Sequence, residues 1–285
     1  MDIRFESGRL KVYRGRFDVN TTIFNDTVID PSIGRNVYSG VKRILVTHGH
    51  ADHFGDAVAI NAKVFAPKHE VPMVEDPTIN WRGLFSWAVL PEEAVTPYFC
   101  GTGVEVDGFA EDTGLCVPLP GHTPAHVGYL LDNVLVAGDA VHTPEYWERF
   151  GVLYYVDPDL MLMSLHRILS LDWDYLVPGH GCVLERQEAE RVVKFNTKML
   201  EKVDSIVFNL IPEDGVRLAD LISDIAREMG VKGEKALLVI MPALKGHVSS
   251  LCRRGLVKMA ERDGYIFLER VSNKYRFSRF WDKIR

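Results

Sequence analysis

Over the first 30 residues apolar and polar positions alternate in short runs, RLKVYRG, FDVNTTIF and then TVIDPSIG behind an Asn25-Asp26 turn. That alternation predicts an antiparallel hairpin or meander. The rhythm then changes. VKRILVTH reads as a buried strand running into histidines, FGDAVAINA as a helix, AKVFAP as a strand and KHEVPMVED as another helix, which is the alternation of a sheet covered by helices. From 76 to 113 the pattern dissolves into a Pro-, Gly- and aromatic-rich stretch too long for a plain connector, a candidate lid or pocket wall. Strands return at LCVPLP, HVGYLLD and NVLVAGD, the last two joined tightly at Asp132-Asn133. A helix is expected from about Pro158 to Leu171, a strand at DYLVPGHG, and a long helix from about Glu185 to Phe208. Two β-rich halves, each ending in helices, suggest a helix-sheet-sheet-helix sandwich.

From about residue 210 the character differs. RLADLISDIAREMG, GEKALLVIM and PALKGHVSSLCRRG read as three helices, the third opening at Pro242 and closing at Gly255. LVKMAERDGYIFLER reads as two strands around an Asp263-Gly264 turn, and helices followed by a hairpin in this order make a winged-helix arrangement. Charge changes at the same place: residues 1–209 carry a net charge of −11 and residues 210–285 a net charge of +5, so two domains are expected, 1–209 and 210–285. With 285 residues, 47 % of them hydrophobic and 25 % charged, the chain can bury one large core and a small appendage, which excludes a fibrous or disordered protein. No run approaches the roughly 18 uncharged apolar residues of a membrane helix. The first residues are too charged for a secretory signal, and Cys100, Cys116, Cys182 and Cys252 are scattered like reduced thiols, so a cytoplasmic protein without membrane contact is expected.

The chemistry is concentrated where strands end. THGHADH places His48, His50, Asp52 and His53 directly after a strand, where open α/β sheets carry their sites, and imidazoles packed this densely gain most by sharing a cation. His122 in LPGHTPAH, Asp139 in VAGDAVH and His180 in VPGHG also follow strands, each beside glycine. In this order, with Asp30 in VIDPS, the motifs resemble those of the metallo-β-lactamase-fold hydrolase superfamily over about residues 8–182. The resemblance implies an α+β fold, a four-layer αββα sandwich, here with a small C-terminal winged-helix-like domain. It implies two metal ions, with His48, His50 and His122 on one, Asp52, His53 and His180 on the other, and Asp139 bridging them. Five imidazoles and two carboxylates suit two borderline divalent ions; zinc is the default, with iron or manganese also compatible. A water between two such ions loses a proton near neutral pH and becomes the nucleophile, and Asp52 is placed to accept that proton as well as to ligate. His142, three residues after Asp139, is a second catalytic candidate, within reach of substrate. Asp30 is expected to support the site from behind or simply to shape a turn, and His126 to begin the next strand. His69, His166 and His247 are expected to be structural.

The expected activity is therefore hydrolysis of an ester, thioester, lactone or similar bond in a small organic substrate. Asp139 stands near where zinc-cysteine antibiotic hydrolases of the superfamily carry cysteine, and His50 where its flavin-linked diiron members carry an acid, so the sequence departs from both. Residues 69–115 hold nine acidic residues against the single Arg82, which repels phosphates and multiply anionic thiols. Trp81, Phe85, Trp87, Tyr98 and Phe99, with Tyr146, Trp147, Phe150, Tyr154 and Tyr155, favour a partly apolar substrate or a homodimer contact. The alternative is a phosphodiesterase or endoribonuclease, because Lys245–Arg285 carry 11 basic residues against 4 acidic ones and Arg253, Arg254 and Lys258 could hold nucleic acid. A ligand-sensing protein with a decayed site is disfavoured by seven competent ligands. Opposite charges on the two parts could also dock one on the other.

Overall fold

The N-terminal alternation becomes β1 (Ile3–Ser7), β2 (Leu10–Arg14), β3 (Asn20–Phe24) and β4 (Thr27–Ile29), each antiparallel to the one before. The structure, a computed structural model, describes residues 2–34, 37–79, 82, 101–231 and 234–277, with side chains in the final helix from Ile240 onward. Most of the expected pocket wall, including Trp81, Phe85, Trp87, Tyr98 and Phe99, lies outside the described residues. β5 (Arg43–Leu45), β6 (Lys63–Ala66) and β7 (Gly108–Phe109) extend the same sheet in parallel, giving seven strands in chain order. A second sheet runs β12 (Leu184–Glu185), β11 (Tyr175–Pro178), β10 (Val134–Gly138), β9 (Val127–Leu131) and β8 (Cys116–Pro118).

Residues alternate across both sheets, and this is what stacks the layers. Ile29 and Leu45 meet Val127, Tyr129, Leu131, Val136 and Val177 in a core between the sheets. The opposite faces turn outward: Val28, Ile44 and Val46 pack with Phe54 and Val74, while Leu135, Ala137 and Leu176 pack under the later helices. Helices therefore cover both outer faces. Two helices of the first half are short, α1 (Ala51–Phe54) and α2 (Val71–Glu75). The helix expected over FGDAVAINA is instead α1 followed by a single 3-10 turn at Ala57–Ala59. Asp56 diverts the chain there, because its carboxylate accepts from Gly34 N–H and Tyr38 Oη and pairs with Arg16 instead of extending the helix.

α3 (Pro144–Phe150) was not expected from periodicity; α4 (Pro158–Ser170) and α5 (Arg186–Asn209) lie where the pattern put them. The buried stripe of α5, Ala189, Val192, Val193, Leu200, Val203 and Val207, keeps the helical period, each larger aliphatic side chain contributing about 1.5–3 kcal/mol.

Beyond it come α6 (Leu218–Glu228), α7 (Glu234–Arg253) and a hairpin, β14 (Val257–Arg262) and β15 (Tyr265–Arg270), flanked by β13 (Val216–Arg217). Where three helices were expected there are two, since α7 runs straight through Pro242. An interior proline costs roughly 3 kcal/mol, and burial of Ile240, Ala243, Leu244, Val248 and Leu251 along one face offsets it. The apolar core under the second sheet continues through α4 and α5 into Leu244, Leu251, Val257 and Leu268. A polar seam runs beside it: Asp204 accepts from both Arg254 (2.7 and 2.8 Å) and Tyr275 Oη (2.9 Å) and pairs with His247 Nδ1 (3.0 Å), whose Nε2 meets Tyr155 Oη (2.8 Å). Among the described residues no helix is long and apolar enough to cross a membrane.

Candidate metal centre

The expected ligands lie past the ends of strands, five in loops and turns and Asp52 and His53 in the short helix α1, and all seven are almost entirely buried together at one end of the sandwich. His48 follows β5, and His50 is the residue before α1, whose four buried residues include Asp52 and His53. A helix this short persists only because it is packed on all sides. His122 follows β8, Asp139 follows β10 and His180 follows β11. Gly179 makes the last approach: a Cβ there would lie 1.8 Å from Asp139 Oδ1.

Backbone and side-chain acceptors orient the rings. Tyr154 carbonyl accepts from His122 Nδ1 (3.0 Å) and Phe17 carbonyl from His180 Nδ1 (3.1 Å), so in each ring Nε2 carries the lone pair and faces the centre. Asp30 does the same for His53, accepting from its Nδ1 at 2.9 Å. The Asp30 carboxylate also takes Thr47 N–H (2.9 Å) and Thr47 Oγ1 (2.7 Å), and Thr47 Oγ1 in turn lies 3.0 Å from His48 Nδ1. Asp30 thus supports two rings from behind. At the last ligand loop, Asn20 Nδ2 donates to the carbonyls of Pro178 (2.8 Å) and Gly181 (2.9 Å), tying it to the first sheet.

Two trios result, with Asp139 between them. His48, His50 and His122 gather their ring nitrogens, His50 Nδ1 lying 3.1 Å from His122 Nε2. Asp52, His53 and His180 form the other, Asp52 Oδ2 lying 3.9 Å from His53 Nε2 and 3.8 Å from His180 Nε2. Asp139 Oδ2 is 3.4 Å from His122 Nε2 and 3.5 Å from His180 Nε2, while its Oδ1 is 3.5 Å from His53 Nε2. His48 Nε2, His53 Nε2, Asp52 Oδ1 and Asp139 Oδ1 are buried there without a hydrogen-bond partner among the described residues. Buried polar atoms in folded proteins are as a rule hydrogen-bonded, so four orphans gathered at this cluster fit shared divalent cations.

The two trios differ electrostatically. Burial, reinforced by neighbouring imidazoles, holds His48 well below the usual histidine range and His50 down at about 3. Burial likewise depresses His122. Burial opposes charge on His53 and His180 too, but Asp139 and the other carboxylates outweigh it and raise both. Asp139 itself is pulled far down by His180, His53 and His122 against its own burial, whereas burial wins at Asp52 and raises it.

His142 also lies at the centre, grouped with His122 and Asp139, with neither ring nitrogen hydrogen-bonded among the described residues. Burial lowers it to about 4. Its backbone is clamped by Asn196, which accepts from His142 N–H (3.2 Å) and donates to its carbonyl (2.7 Å). His126 Nε2 accepts from Asp139 N–H at 3.1 Å just before β9 begins. His69 is exposed, His166 half-buried, and His247 belongs to the Asp204 seam. The aromatic group divides: Trp147 and Tyr155 are core, whereas Tyr154 meets His50 and His122 edge-on (4.9 and 5.3 Å) and Tyr146 stacks on His180 (5.0 Å). Glu70 and Asn196 were not singled out from the sequence.

Comparison with known proteins bears on this arrangement. The family model of the metallo-beta-lactamase superfamily matches residues 39–180, the stretch that holds all seven ligand candidates. The chain carries a metallo-beta-lactamase superfamily domain. It is similar to a probable metallo-hydrolase of Bacillus subtilis (strain 168), 28 % identical over 173 residues, covering 50 % of this chain and 64 % of the relative. It is also similar to a hydroxyacylglutathione hydrolase of Methylobacillus flagellatus, 31 % identical over 176 residues, covering 54 % and 61 %. The match thus spans less than two thirds of these relatives' own length. The fold of the metallo-beta-lactamase domain and its C-terminal extension is similar to that of a beta-lactamase domain protein from Burkholderia ambifaria, with a TM-score of 0.63 and 20 % identity over 94 % of this chain and 93 % of the other.

Proposed function

We propose that the protein is a dinuclear metal-dependent hydrolase acting on an ester, thioester or lactone bond of a small organic substrate. One observation carries the proposal: two trios of donors face each other across Asp139 with their lone pairs turned inward. His48, His50 and His122 would hold one ion, Asp52, His53 and His180 the second, and Asp139 both. Zinc suits this nitrogen-rich set best. Bound ions there would supply Lewis acidity and ease deprotonation of a water.

The chain's own groups do the rest. Asp52 Oδ1, buried and without a hydrogen-bond partner among the described residues, is placed to take a proton from attacking water, and burial raises its affinity for that proton. The His142 ring, held neutral by burial and without a hydrogen-bond partner among the described residues, is placed to touch substrate and to donate a hydrogen bond to it through its one N–H. Tyr146 and Tyr154 flank the histidines with ring faces and edges, which favours a partly apolar substrate. Hydrolase names among the relatives, a hydroxyacylglutathione hydrolase included, agree with this class.

The nucleic-acid reading loses its main support. Arg253 pairs with Asp157 and Asp159, and Arg254, only 10 % exposed, is engaged by Asp204. The tail's helices and hairpin remain compatible with a winged-helix-like module, whose role in this reading is to brace the catalytic part.

Metal analysis and a substrate panel test the proposal. The purified protein should take up two equivalents of zinc and turn over at least one ester, thioester or lactone, and Asp52→Asn should lower kcat about 10²- to 10⁴-fold. Unchanged turnover in Asp52→Asn, or in His122→Ala, would remove the assigned site.

A further inference from the structure

We propose that Glu70 is a positioning residue for one metal site, its single carboxylate stapling the loop of His48 and His50 to the loop of His122. The inference rests on the two-ion reading above. Glu70 has no exposed surface and lies immediately before α2, outside every ligand trio. Its Oε2 accepts the N–H of Gly49, the residue between His48 and His50, at 2.8 Å. Its Oε1 accepts the N–H of Ala125 at 3.0 Å and the hydroxyl of Thr123, the neighbour of His122.

Three donors from two loops thus end on one side chain, each loop carrying ligands of the same trio. Only an acceptor at both ends can do this. A carboxylate offers lone pairs on two oxygens, whereas an amide would turn an N–H toward a donor at one end. The staple is also short, since a Cβ on Gly49 would meet Met73 Cβ at 2.7 Å and Glu70 Oε2 at 3.2 Å, so the His48–His50 loop lies directly on the carboxylate. With His50 Nδ1 and His122 Nε2 only 3.1 Å apart, the separation of the two loops sets how the three nitrogens converge. Both Glu70 oxygens are occupied by donors, so its part is to place ligands and not to be one.

Zinc titration against a chromophoric chelator, with cobalt(II) absorption as a second readout, tests this on the full chain. Glu70→Gln should weaken one of the two metal equivalents about 10- to 100-fold, leave the other unchanged, and alter the cobalt absorption of the weakened site. Thr123→Val, which removes one donor and leaves the carboxylate in place, should weaken the same equivalent to a smaller extent, and Thr123→Ser should restore it. A general loss of stability would instead lower the melting temperature and leave both affinities intact. If wild-type protein binds two equivalents and Glu70→Gln and Thr123→Val do so at wild-type affinity, the positioning role is overturned and the two-ion reading survives. If wild-type protein binds no metal, both fall together.

Discussion

Asp30 shows how one side chain sets the state of others. By accepting from His53 Nδ1 and from Thr47, whose hydroxyl lies against His48 Nδ1, it turns both Nε2 lone pairs toward the centre. The trios nevertheless greet a cation differently. His48, His50 and His122 are held neutral by burial, while carboxylates raise His53 and His180 so that these keep protons to higher pH. A ring with a raised pKa must lose its proton before it can ligate, and as pH falls protons compete with metal there first. Chelator-competition titrations between about pH 5 and 8 should therefore show one equivalent retained at the acid end, and the other gaining affinity with pH and releasing more protons. A single shared pH dependence would contradict this. The ligand candidates were legible because strand-end histidines and glycines recur as short local motifs. Glu70 was not, because its partners stand 21, 53 and 55 residues away and only the folded chain brings them together.

Elements differ in how loudly local sequence announces them. Alternation marked the N-terminal meander, and a 3.6-residue stripe marked α4 and α5, since each buries one continuous face, whereas β7 and β13, two residues each, left no pattern to read. α3 escaped because PEYWERF has no such stripe, although Thr143, Pro144 and Gly151 are an ordinary helix entry and exit. Pro242 misled in the opposite sense, as tertiary burial on both sides of it carries the helix on. α4 offers a stability test. Asp157 caps it, accepting from Asp159 N–H (2.9 Å) and Leu160 N–H (3.2 Å), and also receives Arg253. Asp157→Ala should cost about 1–2 kcal/mol in urea unfolding, most of it from the cap. Arg253 is 48 % exposed, so solvent screens its pairs and Arg253→Ala should cost less than about 1 kcal/mol. Equal losses in the two variants would show that the ion pairs, and not the cap, dominate.

Across the whole molecule the opposite charges of the two parts meet. Asp204 on α5 is buried among His247, Arg254 and Tyr275 of the C-terminal part. Breaking this arrangement with Asp204→Ala should cost about 3–5 kcal/mol, because Arg254 would be left buried and unpaired. Burial works to raise the Asp204 carboxyl, but His247 and Arg254 outweigh it and bring it below its ordinary value of 3.8. A depressed carboxyl stabilises fully above that ordinary value and loses its contribution as pH falls through the lower folded one. Below about pH 4 the wild type should consequently lose stability more steeply than Asp204→Asn, as read from urea midpoints across pH. The Asn20 clamp on the His180 loop has a further consequence in time. It joins positions 158 and 161 residues apart, and the two nearest ligand nitrogens, on His50 and His122, are themselves 72 residues apart. During synthesis the second trio stays unfinished until the strand before His180 has emerged and closed against the opening meander. A cation at the second trio would therefore depend on this long-range pairing, whereas the trio of His48, His50 and His122 would not.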